Sequence, residues 1–330
     1  MDIWGKKVLV TGSEGFIGSH LTEKLVELGA EVTALVQYNS FNSWGWLDTA
    51  VPGIKKEIKV LTGDIREYDN VKRAVRGQEI VFHLAALIAI PYSYISPAAY
   101  IRTNIEGTLN IMQASLDYGA AKVIHTSTSE VYGTAKYVPI DENHPLQGQS
   151  PYSASKIGAD KIAESFYRSF NLPVATIRPF NTYGPRQSAR AVIPTVISQL
   201  LSGKDSLKLG ALSPTRDFTY VKDTVNGFIR IAQIDASVGE TINIGTNSEV
   251  SIGDLAGKII SITGKAVPVE CDEERLRPSK SEVDRLRCDN TKAREMLDWK
   301  PVYTLEEGLK ETVKWMENNL VYYRTDVYNV

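Results

Sequence analysis

The chain has 330 residues, enough for about two domains of ordinary size or for one large α/β domain with a smaller partner. Hydrophobic residues at 43%, charged residues at 23%, 24 glycines and 14 prolines exclude a disordered, collagenous or disulfide-stapled polypeptide. Lys and Arg (37) nearly balance Asp and Glu (39), and the net charge of -2 argues against a broad cationic face for nucleic acid or an anionic membrane, leaving room for local basic pockets.

Met1 to Lys7 has neither the basic nor the apolar region of a secretory signal, and no apolar run nears the ~20 residues that cross a bilayer. Cys271 and Cys288 are therefore expected as free thiols of a cytoplasmic protein. Lys7–Thr11 is a β-branched run, and apolar side chains at 17, 21, 25 and 28 then mark an amphipathic helix over Phe16 to Leu28. Further strands are predicted at Glu31–Val36, Ile58–Leu61, Glu79–Leu84, Lys122–Thr126 and Pro173–Ile177, with helices at Tyr100–Tyr118 and Ser153–Phe170. This alternation predicts a parallel, doubly wound sheet with helices on both faces.

Beyond Arg178 the strict alternation is lost. Helices are predicted at Val192–Ser202 and Thr224–Ala232, short strands at Ser206–Leu209 and Thr241–Ile244, and a Ser251-capped helix to Thr263. Thr304 and Glu307 form a capping-box pattern before a last helix, Leu305–Leu320. The expected organisation is a first unit over 1–180, rejoined by a return segment at about 217–247, with a smaller interleaved α/β unit made of 181–216 and 248–330.

Gly12, Gly15 and Gly18 fall at the first strand-to-helix junction, where glycines allow a tight turn and bring backbone N–H groups to a pyrophosphate. The spacing is G-x-x-G-x-x-G, with Phe16 and Ile17 opening the helix. An acid at the end of the second strand ordinarily holds the adenine ribose of NAD, yet that strand ends Val36-Gln37-Tyr38-Asn39. No Lys or Arg stands there for a 2′-phosphate either, so NAD is expected and NADP stays open. Asp64 and Ile65 are candidate adenine contacts. Leu84, Ala85 and Ala86 have side chains small enough to let a cofactor pass, or simply to pack closely.

Tyr152 and Lys156, four apart at a helix start, share one face. Thr128, Ser129 and Glu130 follow the fifth strand, where an open α/β sheet places its ligand crevice. A nearby ammonium is expected to lower the tyrosine's pKa so that the phenolate can act as a base. His83 and His125 read as structural strand residues, and no His/Cys/Asp cluster has metal spacing. Trp44 and Trp46 lie in a polar loop suited to a cofactor lid, a subunit contact or a cover for the core edge.

The glycine turn, Thr128 and Tyr152-Ser-Ala-Ser-Lys156 resemble the extended short-chain dehydrogenase/reductases, in their nucleotide-sugar epimerase/dehydratase branch, over the chain to about residue 320. Arg178-Pro-Phe-Asn181-Thr-Tyr-Gly-Pro-Arg186 and Arg216-Asp-Phe-Thr-Tyr-Val-Lys-Asp223 are similar to that branch's substrate-side motifs. The resemblance implies a Rossmann platform that retains NAD, with catalysis by Thr128, Ser129, Glu130, Tyr152 and Lys156. It implies a nucleotide-sugar substrate held by Asn181, Arg186, Arg216 and Arg277, with Glu282 on the nucleoside ribose, and a homodimer formed through helices 100–118 and 153–170. Thr128-Ser129-Glu130 resembles the triplet of GDP-mannose 4,6-dehydratase. The segments Ala34–Trp46 and Leu87–Tyr94 are similar to N-acetylhexosamine nucleotide 4,6-dehydratases of nonulosonic acid pathways. A dehydratase is thus expected, with UDP-GlcNAc among the candidate substrates. Nucleotide-sugar 4-epimerase and UDP-glucuronate decarboxylase are alternatives, and a non-catalytic NAD-binding regulator is a more distant one.

Overall fold

The computed structural model describes residues 1–325 and 327, so the last part of the expected 248–330 segment, Asp326 and 328–330, lies outside the described residues. Seven strands form one sheet: β1 (Lys7–Thr11), β2 (Glu31–Gln37), β3 (Ile58–Gly63), β4 (Ile80–His83), β5 (Lys122–Thr126), β6 (Val174–Pro179) and β7 (Thr241–Ile244), in the order β7-β6-β5-β4-β1-β2-β3. Every neighbouring pair is parallel. The chain runs outward from β1 to β3, then crosses back to β4 on the other side of β1. That reversal opens a crevice at the carboxyl ends of β1 and β4.

Alternate strand residues feed two cores, as the two-residue period of a strand requires. Val8, Val10, Ile80, Phe82, Ile124 and Ile177 face one cluster. Leu9, Val81, Val123 and Val174 face the other, against Ile111, Met112, Ala163 and Phe166 of the covering helices. Burial on both faces is why these strands read as continuous apolar runs. The first cluster also contains Trp299, Leu309, Val313 and Met316, so one core continues from the sheet into the segments after residue 248.

Short ladders build the part that overhangs the sheet: Thr182–Tyr183 beside Thr219–Tyr220, Leu207–Leu209 beside Val269–Cys271, and Thr215–Arg216 antiparallel to Val250–Ser251. The last helix, Leu305–Asn319, opens on the expected Thr304/Glu307 capping box. Helix Pro151–Phe170 starts two residues before its predicted position, because Ser150 and Ser153 cap each other's backbone and Pro151 needs no N–H there. The predicted helix Tyr100–Tyr118 is not one α-helix: a π-helical stretch, Ile101–Glu106, separates Pro97–Tyr100 from Gly107–Asp117. The connection after β2, expected as a polar loop, contains two short helical segments, Gly45–Thr49 and Pro52–Glu57.

Candidate active site

A cleft of about 1230 Å³ runs along the carboxyl ends of the strands, and every candidate residue from the sequence lines it: the glycine turn, Asp64, Ile65, Leu84–Ala86, Thr128–Glu130, Tyr152, Lys156, Asn181, Arg186, Arg216, Arg277 and Glu282. Its two ends are chemically distinct.

At the end beside β1 the backbone leaves no room for side chains. Gly12 has φ +70°, and a Cβ there would lie 2.8 Å from the Ala85 nitrogen; a Cβ on Gly18 would lie 2.1 Å from the Gly12 oxygen. Gly15 caps helix Phe16–Glu27 with no side-chain hydrogen bond, leaving the helix N-terminus to an anion. Thr11 Oγ1 accepts from the backbone N–H groups of Leu84 and Ala85, both at 3.1 Å, and so fixes the segment after β4 against the turn. This narrow, donor-lined channel fits a dinucleotide. Asp64 lies at its far side with its carboxylate engaged by Arg66, Nε to Oδ1 at 3.0 Å and to Oδ2 at 2.9 Å, which holds the carboxyl below its usual range.

The middle of the cleft carries the reactive groups. Thr128 caps a short helical turn, Ser129–Tyr132, its Oγ1 accepting from the Glu130 N–H at 3.2 Å, and Gly133 at φ +64° ends the turn. Ser129 is buried, whereas Glu130 is half-buried and its carboxylate accepts no hydrogen bond from the described residues. Tyr152 and Lys156 rise from the first turns of helix Pro151–Phe170 and are nearly fully buried. Lys156 Nζ donates to the Thr126 carbonyl at 2.6 Å. Burial pulls the ammonium down to about 8, with Asp160 one turn further along drawing it back up. Tyr152 departs from the sequence expectation. Burial pushes its phenol well above the usual range, the Thr128 hydroxyl offsets only part of that, and the Glu130 charge adds to it. Desolvation therefore sets the direction of the shift in the protein alone.

Arginines dominate the end under the overhanging segments. Arg216, 5% exposed, donates from Nη1 to the Thr215 carbonyl at 2.9 Å and from Nη2 to Glu282 Oε1 at 3.2 Å. Arg277 Nη1 stands 3.5 Å from the same oxygen, so Glu282 bridges the two cations expected at the diphosphate. Asn181 Oδ1 is buried with no hydrogen-bond partner among the described residues. Arg186 lines the cleft but gives Nη2 to Glu23 of the first helix at 2.8 Å, so part of its guanidinium is engaged away from the other arginines.

Three features escaped the sequence reading. Asn104 sits inside the π-helical stretch, where its amide donates to the Leu87 carbonyl and to Ser155 Oγ, both at 2.9 Å, while its oxygen accepts from the Leu87 N–H at 2.8 Å. It thereby ties the segment after β4 to the helix of Tyr152. Asp160 accepts from His125 at 3.0 Å, Ser127 at 2.7 Å and Arg178 at 3.0 Å beneath Lys156; a carboxylate one turn beyond Lys156 was the only available signal. Glu14, inside the glycine turn, reaches across to β2, and its Oε1 accepts from the Gln37 N–H at 3.0 Å. His83, hydrogen-bonded to Thr11 and Thr108, and His125 are both buried outside the cleft lining.

Among known proteins, residues 9–312 match the family model described as GDP-mannose 4,6 dehydratase. A putative UDP-glucose 4-epimerase of Methanocaldococcus jannaschii is 33% identical over 320 residues, covering 94% of this chain and 99% of that one. A UDP-N-acetyl-alpha-D-glucosaminuronate decarboxylase of Bacillus cytotoxicus is 36% identical over 327 residues, covering 94% and 97%. The crystal structure of DesIV, a dTDP-glucose 4,6-dehydratase from Streptomyces venezuelae with NAD bound, superposes with a TM-score of 0.84 at 29% identity, covering 96% of this chain and 98% of that one. With the glycine channel, the buried Tyr152/Lys156 pair and these relatives in agreement, the chain belongs to the extended short-chain dehydrogenase/reductases, among the NAD-dependent enzymes that epimerise, dehydrate or decarboxylate nucleotide sugars.

Proposed function

We propose that the protein is a nucleotide-sugar 4,6-dehydratase acting on a nucleoside-diphosphate N-acetylhexosamine such as UDP-GlcNAc. The observation that carries this reading is Glu130, a carboxylate open to the cleft and close enough to Tyr152 and Arg216 to perturb both. An epimerase, which only removes and returns a hydrogen at C4, has no use for a second base at that point. Elimination does: once C4 is a ketone, C5–H is acidified and a carboxylate has to take that proton as the C6 hydroxyl leaves.

NAD, when bound, supplies the hydride acceptor and donor for the sugar carbons and a positive charge beside Tyr152. Gly12, Gly15, Gly18, Phe16 and Ile17 would hold its pyrophosphate, and Lys156 its nicotinamide ribose. Tyr152 takes the proton of the C4 hydroxyl while Thr128 hydrogen-bonds the same oxygen. Glu130 removes the C5 proton and Ser129 assists departure of the C6 hydroxyl as water. Glu130 would return its proton to C5, and with the hydride that a bound cofactor would supply at C6 the product is a 4-keto-6-deoxy sugar with no net redox change. Arg216 and Arg277 take the diphosphate, with Asn181 beside them and Glu282 toward the nucleoside.

Incubation with UDP-GlcNAc, GDP-GlcNAc and UDP-glucuronate, read by product mass, tests the reading. Loss of water supports dehydration, an unchanged mass with altered chromatography supports 4-epimerisation, and loss of carbon dioxide supports decarboxylation. The last has its own support in the Bacillus cytotoxicus relative. Glu130→Gln should abolish water loss while bound NADH still accumulates; normal turnover by that variant sinks the assignment of the base.

Two further readings belong with this one. A homodimer formed through helices 100–118 and 153–170 is supported by Ile101 (52% exposed), Leu109 (40%) and Phe170 (53%), and a monomeric mass by light scattering would refute it. A cytoplasmic setting is supported by the free thiols Cys271 and Cys288; among the described residues no helix is long and apolar enough to cross a membrane.

A further inference from the structure

The adenosine end of the cleft lacks the acid that this fold ordinarily offers at the C-terminus of β2, where Gln37 stands instead. The structure brings another carboxylate to the same place. Glu14 lines the cleft, and its Oε1 accepts the Gln37 N–H at 3.0 Å, which anchors the side chain on the last residue of β2. Its other oxygen, Oε2, is buried with no hydrogen-bond partner among the described residues.

The residue is also fixed from the opposite side. Glu14 O accepts from the Trp46 N–H at 3.0 Å. Gly45, at φ +56°, passes so close that a Cβ on it would lie 2.6 Å from Glu14 O and 3.0 Å from Glu14 Cβ. A side chain held this firmly, with one oxygen satisfied and one not, is pre-organised for a donor that arrives with a ligand. Burial raises its carboxyl pKa, as expected of an acid still short of donors. Arg66, which follows β3 next to β2, is engaged with Asp64 through both carboxylate oxygens.

We propose that Glu14 replaces the missing β2 acid: its Oε2 accepts from an adenine-ribose hydroxyl of NAD, and its negative charge excludes the 2′-phosphate of NADP. The glycine turn then carries two functions, a channel for the pyrophosphate and the selection between the two dinucleotides. The assignment rests on NAD as cofactor and is independent of which sugar reaction the enzyme performs.

The test is a competition read without turnover. Wild type, Glu14→Gln and Glu14→Ser are each equilibrated with equal NAD and NADP, separated from free nucleotide, and the bound nucleotides are released by acid and quantified. Wild type should carry NAD in large excess, and the bound NAD-to-NADP ratio should fall about tenfold in both variants. A ratio unchanged in the variants, whether or not total occupancy falls, would show that Glu14 only braces the turn and overturns the proposal. Because a variant could fail to fold, wild type is also titrated with 2′-deoxy-NAD, 3′-deoxy-NAD and NAD. A loss of about tenfold for at least one deoxy analogue is expected, and equal affinity for all three overturns the proposal as well.

Discussion

Arg178 Nη2 donates to Asp160 Oδ2 at 3.0 Å, and both side chains are sealed from solvent beneath the helix that carries Tyr152 and Lys156. Arg178 Nη1 also donates to Tyr132 Oη at 3.0 Å, and Asp160 takes further bonds from His125 and Ser127. The pair therefore joins β5, β6 and helix Pro151–Phe170 through charge. Asp160→Ala leaves a buried guanidinium without its counter-ion and should destabilise the fold by about 3 kcal/mol in a denaturant titration. Burial raises the Asp160 carboxyl, but the hydrogen bond from His125 and the charge of Arg178 win and bring it down to about 2. A depressed carboxyl stabilises fully above its unfolded value of about 4 and loses that contribution as pH falls toward 2. The wild type should lose stability across that window, and Asp160→Asn should show a flatter profile there.

The same carboxylate should set the alkaline limit of the proposed activity. Lys156 is drawn down to about 8 by burial and supported by Asp160, so its ammonium neutralises as pH rises past 8. The kcat/KM profile of the free enzyme should then fall on that side. Removing the supporting charge lowers the lysine further, so Asp160→Asn should move this limb to lower pH. A limb that stays in place in Asp160→Asn would show that another group titrates there.

Gly18 faces the tightest contact in the turn, with a Cβ lying 2.1 Å from the Gly12 oxygen and 2.9 Å from Ser13 Cα. Both are backbone atoms, which cannot rotate aside. Gly18→Ala should cost about 2 kcal/mol in stability and leave the purified protein largely free of NAD, measured by acid release of nucleotide. Gly53→Ala, at a position open to solvent, is the matched control and should change neither quantity by more than about 0.5 kcal/mol equivalent.

What the sequence made legible follows from where its physics is local. Strands buried on both faces announce themselves as apolar runs, the glycine turn by its spacing, and Tyr152 with Lys156 by the helical period; the cleft gathers all of them. The features that stayed hidden depend on contacts distant in sequence. Nothing near Asn104 says that its side chain will serve Leu87 and Ser155, and this use of the side chain accompanies the π-helical stretch that replaced the single predicted helix. Glu14 is one acid in a turn until β2 is folded beside it. The direction of the Tyr152 shift is hidden for a similar reason: a lysine four residues away is visible in a sequence, but the depth of burial that raises the phenol is not.

Trp46 connects the adenosine end of the cleft to the far end of the chain. Its ring meets Trp315 edge-on at 5.4 Å and Tyr322 edge-on at 5.3 Å, while its N–H holds Glu14 O. Helix Leu305–Asn319, which carries Trp315, thus braces the loop that backs the cofactor channel. Each edge-on contact contributes about 1 kcal/mol beyond its buried area, so Trp46→Ala should lose about 2 kcal/mol of restraint on that loop, seen as roughly thirtyfold faster release of NAD. Stopped-flow displacement of bound NAD measures this rate directly. Trp315→Ala should quicken release by a smaller factor. The double variant should fall short of the product of the two effects, because both remove the same contact. A release rate unmoved by Trp46→Ala would make the aromatic cluster a brace between segments with no part in retaining the cofactor.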